Sequence, residues 1–463
     1  MITTTKQPVR NDASFRDPGG TVFVHEGTLC RQINDSYRCN YEHLMKSGLY
    51  RKLSEAGCLI SHSEEQITPI FPQESFCVIV PQKVPFISYP YEWCFSQLKD
   101  AALCTLKILQ ESISYEMTLK DCSAFNIQFI DCTPVMIDTL SFEKYHEGAA
   151  WRGYRQFCQH FLAPLLLMSS KDVRFGQLFR NHIDGLPLNF ASGLLSTSSW
   201  FRPSTLIHIH MHAKLQKKYA SDKSEKMEKK VSRTSLLGIF DNLHTTITGL
   251  SHDLSSENTW SDYYDTFSYT EQAFALKKTT ICEILSQLSP KSLWDLGAND
   301  GTFSRLAQQK GATAVSFDND HSVVEKNYRF NQSNNIKGIL PLYLDLTNPS
   351  PSCGWAHKER MSLEQRGPVD CVLALALIHH LSISNNVPFE LVAEYFAGLC
   401  QNLIIEFVPS DDPQVQGLLK TRDNVFGWYT EENFERAFTS KFSIKRKQNL
   451  CDCSRVIYFM EKI

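Results

Sequence analysis

The rhythm of apolar and polar positions changes about half-way along the chain. From residue 292 onward, short apolar runs alternate with amphipathic stretches of helical period. Buried strands are predicted at 292–297 (SLWDLG), 313–318 (TAVSFD), 338–345 (GILPLYLD), 369–377 (VDCVLALAL) and 402–408 (NLIIEFV). The run 369–377 is apolar enough to be covered on both faces. Helices are predicted through SRLAQQ, which Gly311 ends, and through SVVEKNYRFNQ, PFELVAEYFAGLC and YTEENFERAFTS. FSIKRKQ followed by SRVIYFME reads as a closing hairpin. Strand–helix alternation of this kind predicts an α/β fold with a doubly wound, mainly parallel sheet. Such a sheet binds ligands at the carboxyl ends of its strands.

The first half has another texture. GTVFVHEGTLCRQI reads as a hairpin turning at His25–Gly27, followed by a helix through NYEHLMKSGLYRKLSEAG. ESFCVIVPQKVPFISYPYEW gives a strand and a turn, and FSQLKDAALCTLKILQESISYE a long amphipathic helix that runs into Asp121. This is an α+β order. Four segments are expected: a polar N-terminus (1–20), a first domain (21–200), a basic helical or linker joint (201–254) and the alternating domain (255–463). In the joint, KLQKKYASDKSEKMEKKVSR reads as a solvated helix or linker. Its interspersed Asp222, Glu225 and Glu228 weigh against a nucleic-acid surface.

Composition narrows the class without naming it. The 463 residues are 42% hydrophobic and 21% charged with a net charge of −3, the profile of a globular protein with no bulk attraction to nucleic acid. No apolar run approaches the ~20 residues of a membrane span, and the first residues lack the apolar core of a secretory signal. The 15 cysteines contain no CxxC pair and read as reduced thiols, which implies a cytoplasmic setting. His208, His210 and His212 alternate in TLIHIHMHA; on a strand they would share one face, a possible metal half-site. No matching ligand cluster stands elsewhere, so packing or surface histidines are the expected reading and no metal is assigned.

Chemistry concentrates in WDLGANDGTF, which follows the first strand of the alternating region. Gly297 allows a tight turn, and Gly301 is expected to let a ligand approach the backbone at the helix start. The spacing is G-x-x-x-G, and Asp295 precedes the first glycine. A pyrophosphate is poorly served by an acid there, whereas a ligand carrying an ammonium group is well served. This favours an S-adenosylmethionine site over a nicotinamide site.

With these residues in place, 255–463 resembles a class I S-adenosylmethionine-dependent methyltransferase, whose Rossmann-like seven-stranded sheet ends in an antiparallel hairpin. Asp295, Gly297 and Gly301 match the family's first motif, with Asn299 at its usual middle glycine. Asp318 matches the acid that holds the ribose hydroxyls, Asp320 competing for that role, and Asp345 matches the residue beside the adenine amino group. The resemblance implies S-adenosyl-L-methionine as cofactor and direct displacement at its methyl group, without metal. It also places His379 or His380, in ALIHHL, facing that methyl group as proton acceptor. Glu406 and Tyr264 are candidate acceptor contacts; the aromatic segment 260–278 that holds Tyr264 reads as a lid or as core. No Asn/Asp-Pro-Pro-Tyr or Pro-Cys motif is present. An O- or N-acceptor remains, in the reading of a small molecule.

The first half resembles the protein-kinase and aminoglycoside-phosphotransferase fold. Asp121, Asn126 and Asp138 in LKDCSAFNIQFIDCTPVMIDTLSF match that family's proton-accepting Asp and its two metal-binding residues in order. The surroundings depart from the pattern. No glycine-rich phosphate loop precedes residue 60, Arg31 stands where a phosphate-contacting lysine belongs, and Thr-Leu follows Asp138 in place of Phe-Gly. A kinase-like domain without phosphotransfer activity is the expectation. The whole arrangement resembles bacterial nodulation-type methyltransferases. Its rivals are a phosphotransferase with a regulatory cofactor-binding half and a non-catalytic sensor of the cofactor.

Overall fold

The computed structural model describes residues 7–215, 230–252, 269–420 and 425–463. Two compact units emerge: Met1–Asp253 together with Cys353–Arg360, and Leu254–Ser352 with Met361–Ile463. Tyr264 and residues 216–229 of the basic joint lie outside the described residues.

The first unit opens with a five-stranded antiparallel sheet. Its strands are β1 (Val9–Arg10), β2 (Gly20–His25), β3 (Thr28–Asn34), β4 (His62–Glu64) and β5 (Ser75–Pro81), in the order β1-β2-β3-β5-β4. The β2–β3 hairpin turns through Glu26 and Gly27, both at positive φ. Phe23, Cys30 and Val78 fill one face, and Ile33, Tyr37, Tyr41, Ile79 and Leu140 the other. The helix expected through 40–57 is two helices, Arg38–Lys46 and Leu49–Glu55, parted by Gly48 at φ 87°. A left-handed residue cannot continue a helix, and periodicity alone does not reveal the break. The long helix Phe95–Ser114 leads through β6 (Met117–Leu119) to the hairpin β7 (Ile127–Ile130) and β8 (Thr133–Met136), with β9 (Phe142–Lys144) pairing back on β6.

The histidine triplet packs, as expected, and does so on a π-helical turn, Leu206–Met211, where a strand would have been needed for a shared face. His208 lies between the Tyr154 hydroxyl (2.6 Å) and Asn242 Oδ1 (2.8 Å). His210 bridges Ser192 and Ser199 at 2.7 and 2.8 Å with Trp200 stacked on it, and His212 stacks on Tyr154.

The second unit is built on a seven-stranded sheet: β10 (Ser292–Leu296), β11 (Thr313–Asp318), β12 (Ile339–Tyr343), β13 (Val369–Ala374), β14 (Cys400–Phe407), β15 (Phe442–Asn449) and β16 (Val456–Lys462). The order is β12-β11-β10-β13-β14-β16-β15, with the first five parallel and β16 antiparallel to both neighbours. The strand order reverses between β10 and β13, which is where open α/β sheets form ligand crevices. Ile281, Leu285, Leu293, Phe303, Ile339, Leu373 and Ile404 form the core on one side. β13 ends three residues before the predicted limit, because Ala376 takes a positive φ and the chain turns across the strand ends. Among the described residues no helix is long and apolar enough to cross a membrane.

Candidate active site

A cavity of about 350 Å³ opens at the carboxyl ends of β10 to β13, lined by Gly297, Asn299, Asp318, Asp345, Leu377 and His380 among others. Its floor is the turn after β10. Gly297 (φ 75°) and Ala298 both donate their N–H to the Phe317 carbonyl of β11 at 2.9 Å, so the turn is tied to the neighbouring strand. Asn299 occupies the left-handed region at φ 49°, which asparagine tolerates better than most residues. Its backbone N–H reaches Asp318 Oδ2 at 2.8 Å, and the N–H of Asp320 reaches Asp318 Oδ1 at 3.0 Å.

Asp318 therefore stands at the cavity wall, oriented by two backbone donors and, among the described residues, paired with no cationic side chain. Burial pushes its carboxyl up to about 6, against those two hydrogen bonds. The competing acid Asp320 does not line the cavity. It caps the helix His321–Ser333, accepting from Ser322 N and Oγ at 2.7 Å. Asp345 lines the cavity with Oδ1 accepting from the N–H and hydroxyl of Thr347 at 2.8 and 2.7 Å.

Two motif residues lie outside the cavity lining. Asp295 is fully buried beneath the turn and outside the cavity lining; it accepts from Ser304 Oγ at 2.6 Å, and burial raises its carboxyl to about 7. Gly301 does not reach the cavity either. A Cβ there would sit 2.5 Å from the Asn327 side chain, so its smallness serves helix packing, not ligand approach. That need is set by a residue on the next helix and is invisible in the local motif.

The two histidines after β13 separate. His380 lines the cavity, and burial with help from Arg455 lowers its imidazole to about 4, so it is neutral at physiological pH. His379 is fully buried against it, ring centroids 4.1 Å apart, with no hydrogen-bond partner for either ring nitrogen among the described residues.

Glu406 is fully buried at the end of β14 and is not open to an acceptor. Lys277 Nζ donates to its Oε2 at 2.6 Å, and the Tyr269 hydroxyl donates to Oε1. Burial alone would raise this carboxyl, but Lys277 and Arg455 hold it below the usual range. Lys277 and Arg455 also donate to the Tyr269 oxygen at 2.9 and 2.5 Å, and Arg455 Nε pairs with Asp412 at 2.7 Å. Sequence reasoning named the segment but missed this network. The available signal was Lys277 sitting at the spacing of Ala273, Ile281 and Ile284, in the buried stripe of the helix Glu271–Leu288.

In the first unit, Asp121, Asn126 and Asp138 come together. Asp138 accepts from Arg31 Nη1 and Leu140 N on Oδ1, and from Ser141 Oγ on Oδ2 at 2.7 Å. Asn126 Nδ2 donates to Ser141 Oγ at 3.1 Å, and Asp121 accepts from Ser123 N at 3.0 Å.

A doubly wound α/β unit with a polar crevice at its switch point thus follows a unit of different architecture. No family model matches the chain. The nodulation protein NoeA of Rhizobium meliloti (strain 1021) is 33% identical over 470 residues, covering 100% of this chain and 98% of that protein. The chain belongs to the NoeA family. Solved structures with partial likeness include the magnesium protoporphyrin IX methyltransferase ChlM of Synechocystis PCC 6803 (18% identity, 44% of this chain, 93% of that one, TM-score 0.31). The bifunctional kinase-methyltransferase WbdD is another (15% identity, 43% of this chain, 42% of that one, TM-score 0.30). At this level of likeness the chemistry has to come from the site.

Proposed function

We propose that the second unit is an S-adenosyl-L-methionine-dependent methyltransferase acting on an O- or N-acceptor of small-molecule size. The observation that carries this is Asp318: a carboxylate at the end of the second strand of the unit, held by two backbone N–H groups at a cavity of about 350 Å³, with no cationic partner among the described residues. Such a carboxylate matches two vicinal ribose hydroxyls, each donating one hydrogen bond. The donor set fits the rest of the group. Asp345 and its neighbours Leu344 to Thr347 offer an adenine-sized edge, while Leu375, Leu377 and Leu381 give the apolar wall. The tied turn at Gly297–Asn299 presents backbone to the ligand.

Bound there, S-adenosylmethionine supplies a methyl group on a sulfonium, an electrophile that needs alignment more than activation. The chain's own contribution is to hold the cofactor by Asp318, exclude water with the leucine wall, and take the acceptor's proton. His380 is the residue we assign to the last task, since its imidazole is neutral and lines the cavity. Lys277, Glu406, Arg455 and Tyr269 brace the strand ends around it and are assigned a structural role. Asp295 acts through Ser304 at the base of the turn. The first unit, in this reading, keeps a kinase-like arrangement without phosphotransfer.

Calorimetric titration of the full chain with S-adenosylmethionine tests the assignment. Binding is expected, with Asp318→Ala weakening it by about 100-fold, or about 2.7 kcal/mol. No binding by the wild-type chain would end this reading.

A further inference from the structure

The first unit holds a second set of polar groups arranged for a ligand, and its carboxylate is already taken. Arg31 lies on β3 between Val22 of β2 and Ile79 of β5, in the middle of the five-stranded sheet. Its guanidinium crosses to Asp138, just after β8, and both side chains are about 15% exposed, at 15% and 14%. Asp138 is left with little acceptor capacity: Oδ1 takes Arg31 and Leu140 N, and Oδ2 takes Ser141. The amide of Asn126 is turned by the same network. Ser141 spends its single proton on Asp138, so its oxygen accepts, and Asn126 must present its NH₂ to it. A divalent ion needs the opposite: open carboxylate oxygens and an amide oxygen facing inward, with water completing the shell.

The cation that this carboxylate requires is therefore supplied from within the chain. A guanidinium donating to a carboxylate in a mostly buried place satisfies the charge that a metal would otherwise neutralise. We propose that Arg31 is a built-in cation standing in the divalent-metal position of a phosphotransferase-like site. The wild-type chain then takes no metal-nucleotide at Asp138, and removing the guanidinium uncovers a divalent-cation site there. The inference rests on the kinase-like reading of the first unit and not on the methyltransferase reading of the second.

The full chain is titrated with MnCl₂, free Mn²⁺ being read by electron paramagnetic resonance, and separately with Mg-ATP by calorimetry. Wild type is expected to show neither a Mn²⁺ site dependent on Asp138 nor Mg-ATP heat. Arg31→Gln, which keeps an amide donor for Asp138 but removes the charge, is expected to bind Mn²⁺ at least about ten-fold more tightly than wild type. The double variant Arg31→Gln/Asp138→Asn is expected to lose that gain, and Arg31→Lys to stay closed like wild type. Wild-type Mn²⁺ or Mg-ATP binding that Asp138→Asn abolishes would overturn the proposal. So would a folded Arg31→Gln chain with no gain in Mn²⁺ binding.

Discussion

Asp318 and Asp138 are two carboxylates in similar local settings with opposite fates. Asp318 ends β11 and Asp138 lies just past β8, and each accepts a nearby backbone N–H. Asp138 is closed by Arg31 and Ser141, whereas Asp318 has no cationic partner among the described residues and borders a cavity. Burial raises Asp318, whereas Asp138, which burial alone would also raise, is held below its ordinary range chiefly by Arg31. Availability to a ligand is thus decided less by the acid than by whether the fold provides its counter-ion. A carboxylate kept without a counter-ion at a cost in desolvation is a candidate for ligand binding, the role proposed for Asp318. One saturated by its own chain marks a structural joint.

The contrast can be pressed in several ways. The largest effect is expected where a buried ion pair is cut in the second unit. Lys277→Ala leaves the buried Glu406 with only the Tyr269 hydroxyl and the more distant Arg455, which should lower unfolding free energy by about 3 kcal/mol in chemical denaturation. Cutting the exposed pair Lys447–Glu435 should cost under about 1 kcal/mol. Equal losses in the two variants would contradict the structural role given to Lys277.

His380→Asn is expected to reduce methyl transfer by about 100-fold while changing cofactor affinity less than about two-fold. A matched loss in both quantities would make His380 a binding residue instead.

A smaller effect is expected from pH. Asp318 titrates near 6 in the folded chain, and ribose hydroxyls want its ionised form. Cofactor affinity should therefore rise as pH increases through about 6 and flatten above it, by roughly ten-fold between pH 5 and 7. The sign for stability is reversed. A raised carboxyl favours the folded state at low pH, and that contribution fades as pH rises through 6. Calorimetry across pH with wild type and Asp318→Asn separates the two, since the variant should show no inflection.

What the sequence revealed follows from the range over which each feature is determined. The parallel strands announced themselves because a strand buried on both faces must be apolar throughout, and Asp318 because an acid at a strand end is a local signal. The β2–β3 turn was legible for the same reason, through Glu26–Gly27. Features set by partners far along the chain were not. Lys277 meets Glu406 across 129 positions, and Arg31 meets Asp138 across 107. The role of Gly301 depends on Asn327, one helix away. Packing was the expected reading of the histidine triplet, but its partners Tyr154, Asn242, Ser192 and Ser199, on a helical turn, were not legible from the alternation. Glu406 was visible as a strand-end acid like Asp318; only the burial of Lys277 and Tyr269 against it shows that it is not open to a substrate.

The most direct test is transfer of labelled methyl from S-adenosylmethionine into a cell extract by the full chain, comparing wild type, Asp318→Ala and Asp121→Asn. Label should appear with wild type, vanish with Asp318→Ala and persist with Asp121→Asn. Label that survives Asp318→Ala, or is lost with Asp121→Asn in a folded chain, would contradict a single catalytic centre in the second unit.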